Sequence, residues 1–526
     1  MRITATVPSS SQKVNLFTDL VSECQLAAPG SRLSEKLKRK MEEFAKDDRK
    51  DVVGQTTTDG CAPLFLACRN GSADVVEYLI TTCDADIEQR GQFDVIDEGV
   101  SHSVTPLWCA AVSGRLAVVK VLIRFGANVD AVSDSGSTPI RSTCYIVRGD
   151  NNNLNASSHF DIVKCLVRAG ANIGQANHFG GTCLINSVQS PELVKYLLAH
   201  GTDKLDVNAE DVQHKTALHY AIQENRLEST KLLLKAGSDP FRLSKYGDDA
   251  LQTACLKGAL MIFNLLLESV VYDPPRIADA FELMGSTFLL DLHDMGSTMF
   301  FWRKALEIRH EGAYRKYPKS TRSTHPVLGV QEVDSKEELD DINGDSTGLK
   351  RQALLISERI LGTTHKDTVF RFMYAGAAHA DTNEYRPCVT LWNHALSLKV
   401  EKETLLSCDT SFTARAIVQL YINILSKSPV SQNLMDEDNF DEFREIPIQF
   451  KDVLDTALHI NHGIKDAINL LAIQPQFKGI LLLLVFSIYM YKVNGLNTSL
   501  GRNIIVKSIS YSFKTKLIAL ATLYPV

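Results

Sequence analysis

Phe65, Trp108 and Arg141 occupy one recurring position of the chain, 43 and then 33 residues apart, and the same position later holds Ile185, His219 and Gln252. Two aromatics and a permanent cation in neighbouring copies suit the gripping of an anionic or planar group rather than the breaking of a bond. Close by, "RGQFDVIDEGVSH" (Arg90–His102) lengthens what should be a short turn and adds Phe93, Asp94, Asp97 and Glu98. A second insertion, "IVRGDNNNLNASS" (Ile146–Ser158), reads as a polar, mobile loop and carries Asp150. Covalent chemistry finds no foothold. There is no Walker loop, no HExxH, and no Ser/His/Asp set that could share a face. The chain therefore reads as a non-enzyme with neither cofactor nor metal.

The elements that must position these residues come from a repeated phrase: Ala62-Pro63-Leu64, Thr105-Pro106-Leu107, Thr138-Pro139-Ile140, Thr182-Cys183-Leu184, Thr216-Ala217-Leu218 and Asp249-Ala250-Leu251. Its steps are 43, 33, 44, 34 and 33, which is the ankyrin period of about 33 with two insertions. Thr-Pro at 105–106 and 138–139 marks the start of a first helix, since threonine caps and proline is tolerated in the first turn. The glycine that follows a Leu-Leu-x-x second helix is expected to end it in a left-handed conformation. Such arrays bind partners on a concave face and rarely carry chemistry. His219 fills the usual histidine slot of the motif; its replacement by Phe65, Trp108 and Arg141 beside both insertions reads as a binding surface.

Beyond about Pro275 the period ends while helical patterning persists. "AFELMGSTFLLDLHDMGSTMFFWRKALEIR" and "FMYAGAAHADTNEYRPCVTLWNHALSL" each place small residues on one helix and Trp-x-x-Ala on the next (Trp302/Ala305, Trp392/Ala395), as tetratricopeptide pairs do. The expected fold is an all-α repeat protein, an ankyrin solenoid followed by a tetratricopeptide-like helical domain. Its expected parts are a helical cap over 1–54, ankyrin repeats over 55–272, a helical domain over 273–492 with a loose connector at 310–350, and a divergent tail over 493–526.

A net charge of −6 over 526 residues gives no basic footprint for nucleic acid. The longest apolar run, Ile480–Tyr491, is shorter than the roughly 20 residues a membrane helix needs. Eleven scattered cysteines without CxxC pairs read as reduced, buried thiols. The location expected is cytoplasmic, with the nucleus also open, and no membrane or nucleic-acid partner.

The combination of "TPLWCAA…GAN…STPIR", the Phe93-Asp94 insertion, "AFELMGSTF" and "ERILG…H…D" resembles the Fem (feminization, fem-one homolog) family of substrate receptors of cullin-RING ubiquitin ligases. The resemblance implies binding of C-terminal degrons of client proteins in the ankyrin groove. The degron residues it implies are Phe93, Asp94, Trp108, Ser137 and Arg141, with Phe65, Asp97, Glu98 and Asp150 as additional candidates. Arg141 and Ser137 would meet the terminal carboxylate, and Asp94, helped by Asp97 or Glu98, the guanidinium of a last arginine. Elongin B/C and a cullin would dock on a box near the C-terminus. Here the acid that usually follows the "STPIR" helix is absent or shifted to Asp150, and the last residues match no such box. A truncated chain, or a peptide-binding scaffold without ligase recruitment, is therefore the alternative expectation.

Overall fold

A computed structural model describes residues 10–26, 28–95, 100–147, 156–201, 205–310 and 324–402. Asp97, Glu98, Asp150, the apolar run Ile480–Tyr491 and the tail over 493–526 lie outside the described residues. The chain divides into two compact units between Asp273 and Pro274.

The first unit begins with helices Ser10–Leu26, Glu35–Glu42 and Lys46–Val53. Leu16, Leu20, Leu37, Met41 and Val53 carry the apolar face of these helices into the same core as the first repeat. Six antiparallel helix pairs follow, from Pro63–Asn70 with Ala73–Thr81 to Ala250–Leu256 with Leu260–Ser269. Thr105, Thr138 and Thr182 cap their helices through the hydroxyl, as the sequence predicts, and Gly126, Gly170 and Gly237 leave the second helices at φ 85°, 89° and 89°. The second helix of the third pair begins at Ala156, so the last residues of the Ile146–Ser158 insertion are helical rather than loop.

Five tips precede helix pairs of this array, at 57–61, 133–137, 177–181, 211–215 and 244–248. In each, the first N–H donates to the fifth carbonyl and the fourth N–H to the first carbonyl. Neighbouring tips are laddered, with His178 N donating to Ser135 O, Val212 N to Phe179 O and Lys245 N to Gln213 O. Where the second tip belongs, the chain instead forms an antiparallel ribbon of β1 (Gly91–Val95) and β2 (Val100–Val104), pairing Gly91 with Val104, Phe93 with His102 and Asp94 with Ser101. The insertion is a hairpin finger.

The second unit is helical. Pro274–Leu290 with Met295–His310 and Lys366–Asp381 with Tyr385–Lys402 are closely packed pairs built alike. Trp302 lies against Gly285 and donates Nε1–H to Glu282 O at 3.0 Å; Trp392 lies against Gly376 and donates to Met373 O at 2.7 Å. In both, the acceptor stands three residues before the glycine. The segment expected as a loose connector is ordered over its described part. Helix Lys336–Asp341 and the start of Ser346–Leu361 occupy it. Gln352 holds Gln331 O and Val333 N, and Arg359 holds Glu332. Glu332 and Gln352, both buried, serve hydrogen bonds within the fold rather than solvent.

Candidate functional site

The recurring slot has a structural duty first. His219, buried and hydrogen-bonded to its own cap Thr216, places Nε2 3.2 Å from Asp248 O, the last carbonyl of the next tip. Burial pushes its pKa down, so it serves as a neutral bridge. Trp108 does the same through Nε1 to Ser137 O at 3.1 Å, and Arg141 through Nε to Gly181 O at 3.1 Å. Three unlike side chains thus tie one helix to the next tip, because each has an N–H at the right reach.

Arg141 differs in what it has beyond that bridge. Its Nη1 donates to Ser137 Oγ at 2.8 Å, which spreads the guanidinium between the third and fourth tips. The absence of a side chain at Gly181 makes room, since a Cβ there would stand 2.7 Å from Nη2. Ser137 is only 3% exposed and works underneath. Its hydroxyl lies 3.0 Å from Ser135 Oγ, which lies 3.0 Å from Ser133 Oγ, and Asn177 Nδ2 approaches at 3.5 Å. This hydroxyl chain and Asn177 position Arg141; of them the sequence points to Ser137 alone, although the Ser-x-Ser-x-Ser spacing of the turn is visible in it.

The finger closes the other side. Phe93 meets Trp108 edge to face, with centroids 5.4 Å apart and planes at 72°. Trp108, 4% exposed, is therefore the floor beneath Phe93 rather than an open wall. Gly91 lies on the Phe65 ring so closely that a Cβ would come within 2.7 Å of it. Phe65 is fully buried by that contact and lines no surface, which corrects its candidacy. Gly91 likewise serves close approach rather than a turn. On the far edge, Ser103 N donates to Asp134 Oδ2 at 2.8 Å and Arg90 Nη2 to Val132 O at 2.7 Å, fixing the finger to the third tip.

Contacts thus run unbroken from Phe93 through Trp108 and Ser137 to Arg141. Asp94 stands apart. Consecutive strand residues project to opposite faces, so its carboxylate leaves the ribbon on the face away from Phe93. The sequence treats the two as a pair; the pleat separates them. Chemically the assembled site offers one fixed cation, a hydroxyl chain behind it and an aromatic flank. No nucleophile or general base accompanies them among these residues.

Among the described residues, His325, Glu358 and His394 bring three donor atoms within 4.8 Å in the second unit. His325 Nδ1 accepts from Val327 N at 3.3 Å and Leu328 N at 3.1 Å, so its proton sits on Nε2, aimed at Glu358 Oε2 3.1 Å away. A metal-bound imidazole would instead donate from its other nitrogen. The three form a hydrogen-bonded bracket rather than a metal site.

Comparison with known proteins places these features. A family model described as "Ankyrin repeats (3 copies)" matches residues 41–133 and 154–244. The chain is similar to Protein fem-1 homolog CG6966 of Drosophila melanogaster, 34% identical over 366 residues that make up 69% of this chain and 52% of that protein. It is also similar to Protein fem-1 homolog A-like of Mus musculus, 29% identical over 430 residues, 74% of this chain and 63% of that protein. A shorter match, 32% over 178 residues, joins it to Protein fem-1 homolog C of Xenopus laevis, with 34% of this chain and 29% of that protein covered. The chain thus spans between about half and just under two thirds of the length of the first two relatives.

Proposed function

The chain belongs to the Fem-1 family of ankyrin-repeat proteins, whose role is protein interaction through repeats, and from that premise we propose that it is the substrate-recognition subunit of a cullin-RING ubiquitin ligase. It holds the C-terminal tails of client proteins in the ankyrin groove and delivers them for ubiquitination and proteasomal degradation, without catalysing a covalent step itself. The observation that carries the reading is Arg141. A guanidinium held between two tips and backed by Ser137, whose carbonyl also takes the Trp108 indole N–H, is preorganised for a terminal carboxylate. A charge-assisted hydrogen bond of this kind contributes about 1.5–3 kcal/mol, so a few such contacts give micromolar binding, suited to a receptor that must release its client.

Elongin B/C and a cullin are the partners this role requires, and a cytoplasmic or nuclear location follows from it. No helix among the described residues is long and apolar enough to cross a membrane.

Two measurements test the proposal. Fluorescence anisotropy should show peptides with free C-termini binding the full chain and their amidated forms binding at least about tenfold more weakly, the equivalent of roughly 1.4 kcal/mol. Arg141→Ala should abolish the difference between acid and amide in a chain that stays folded, with the thermal midpoint lowered by the loss of the bridge to Gly181 O. Equal binding of acid and amide would put the ligand elsewhere. Co-purification with elongin B/C and a cullin tests the ligase link separately; no association would leave a peptide-binding scaffold.

A further inference from the structure

The two glycine–tryptophan pairs of the second unit correspond residue by residue, yet one face is covered in the first pair and open in the second. Gly285 corresponds to Gly376 and Glu282 O to Met373 O, so Asp279, Leu283 and Thr287 correspond to Phe370, Tyr374 and Ala378. Residues four apart on a helix form one stripe. On Pro274–Leu290 that stripe is covered. Asp279 Oδ1 accepts from Arg359 Nη1 at 2.7 Å, Leu283 is fully buried, and Thr287 Oγ1 accepts from Arg371 Nη2 at 2.6 Å. The cover is the later helix Ser346–Leu361, which packs on Pro274–Leu290, with Arg371 reaching in from the helix after it. On Lys366–Asp381 the stripe is open. Phe370 and Tyr374 are 59% and 52% exposed, their rings stacked with centroids 6.1 Å apart, and Ala378 is exposed one turn on. Single exposed hydrophobics are ordinary, but two stacked rings on the stripe that the sister pair covers mark a docking face.

We propose that residues 411–427 of this chain, SFTARAIVQLYINILSK, dock on the Phe370–Tyr374 stripe as the next layer of the second unit. This is independent of the tail-binding reading. The repeat plan itself favours a cover in cis, because the sister stripe is covered by a helix from later in the same chain. Connectivity favours the segment that comes next. Lys366–Asp381 and Tyr385–Lys402 form an αα-hairpin, so the chain leaves Lys402 beside the start of the open stripe, and 403–410 is the length of a short helix connection. Residue pattern favours it as well. Ile417, Leu420, Tyr421 and Ile424 recur at helical spacing, Arg415, Gln419 and Asn423 recur on the opposite side, and Pro429 stands just beyond. An apolar face of that kind removes both rings from water and leaves its own polar side in it.

Phe370→p-benzoylphenylalanine in the full chain tests the contact directly. On illumination the new covalent bond should map to residues 411–427 in a product of monomer mass, with a yield that does not depend on protein concentration. A product of dimer mass would make a second copy the occupant. A bond to a different protein in extract, a bond elsewhere in this chain, or no cross-link would likewise overturn the proposal. Phe370→Lys combined with Tyr374→Lys should speed amide hydrogen exchange over 411–427 at least about tenfold while residues 274–310 keep their protection. Leu420→Lys combined with Ile424→Lys should do the same and abolish the cross-link. Exchange over 411–427 that neither pair alters would show that the segment does not rest on the stripe. Both replaced rings are exposed, so the first pair tests docking rather than folding.

Discussion

Arg141 carries two loads that a single substitution can separate. Its Nε serves the fold, bridging to Gly181 O as His219 bridges to Asp248 O two repeats on, whereas its Nη1 donates to Ser137 Oγ. Gly181→Ala would bring a methyl to 2.7 Å from Nη2 and displace the end of a flexible side chain rather than backbone. We expect this variant to lower affinity for free C-terminal peptides by about tenfold while costing the fold less than about 1 kcal/mol, within the range of small overpacking effects that a chain end can relieve. Calorimetry and anisotropy on the same protein check both halves. Ser137→Ala is a softer version. It removes the hydroxyl that orients Nη1 and should weaken binding without abolishing it, whereas unchanged affinity would mean that Arg141 needs no such support.

At the scale of elements, close approach decides geometry in both units. The finger lies on its repeat because Gly91 has no side chain to keep it off Phe65. Gly91→Ala meets three ring atoms within 2.8 Å, all of a buried aromatic that cannot move aside, and should cost about 1–3 kcal/mol. Its signature would be faster hydrogen exchange over residues 91–104 with the remaining repeats protected; uniform protection would show that the finger tolerates the shift. In the second unit, Gly285 and Gly376 admit Trp302 and Trp392 in the same manner. Gly285→Val would unseat Trp302 and break its bond to Glu282 O, lowering the thermal midpoint and red-shifting tryptophan emission.

At the scale of the whole molecule, the two units are held by different physics. The ankyrin unit is an apolar stack whose members differ little, whereas the second unit has a charged centre. Glu282, 2% exposed, takes a bidentate pair of hydrogen bonds from Arg309 at 3.0 and 2.9 Å and a further one from Arg359, which also holds Glu332 and Asp279. Removing one member of a buried ion network strands the others, so Glu282→Gln should cost about 3–5 kcal/mol in the unfolding of this unit. Glu358 adds a pH dependence. Burial alone would raise its pKa, but the N–H groups of His325 and then His394 outweigh burial and hold it down at about 2, below the ordinary 4.5. A depressed carboxylate pKa contributes stability that is full above about pH 4.5 and is lost as pH falls towards 2. The stability difference between wild type and Glu358→Gln should shrink across that window; a constant difference would show that the bracket does not act through charge.

Much of this was legible in the residues themselves. The ankyrin period, the capping threonines, the helix-ending glycines and the paired Trp-x-x-Ala helices are local signals, set by backbone chemistry within a few residues, and they fix which segments are helical and in what order. The slot residues Trp108 and Arg141 were visible because a repeat supplies its own ruler. What the sequence could not supply were relations across repeats: that Arg141 reaches Gly181, that Ser137 and Asn177 support it, and that Gln352 and Arg359 hold the segment 331–333 in place. Phe65 looked like its neighbours in the slot until Gly91 covered it. Phe93 and Asp94, adjacent in the chain, could be assigned to one site or to opposite faces only once their strand was paired. A strand's pleat is local, but which face meets the groove depends on where the ribbon lies against the helices, and packing alone decides that.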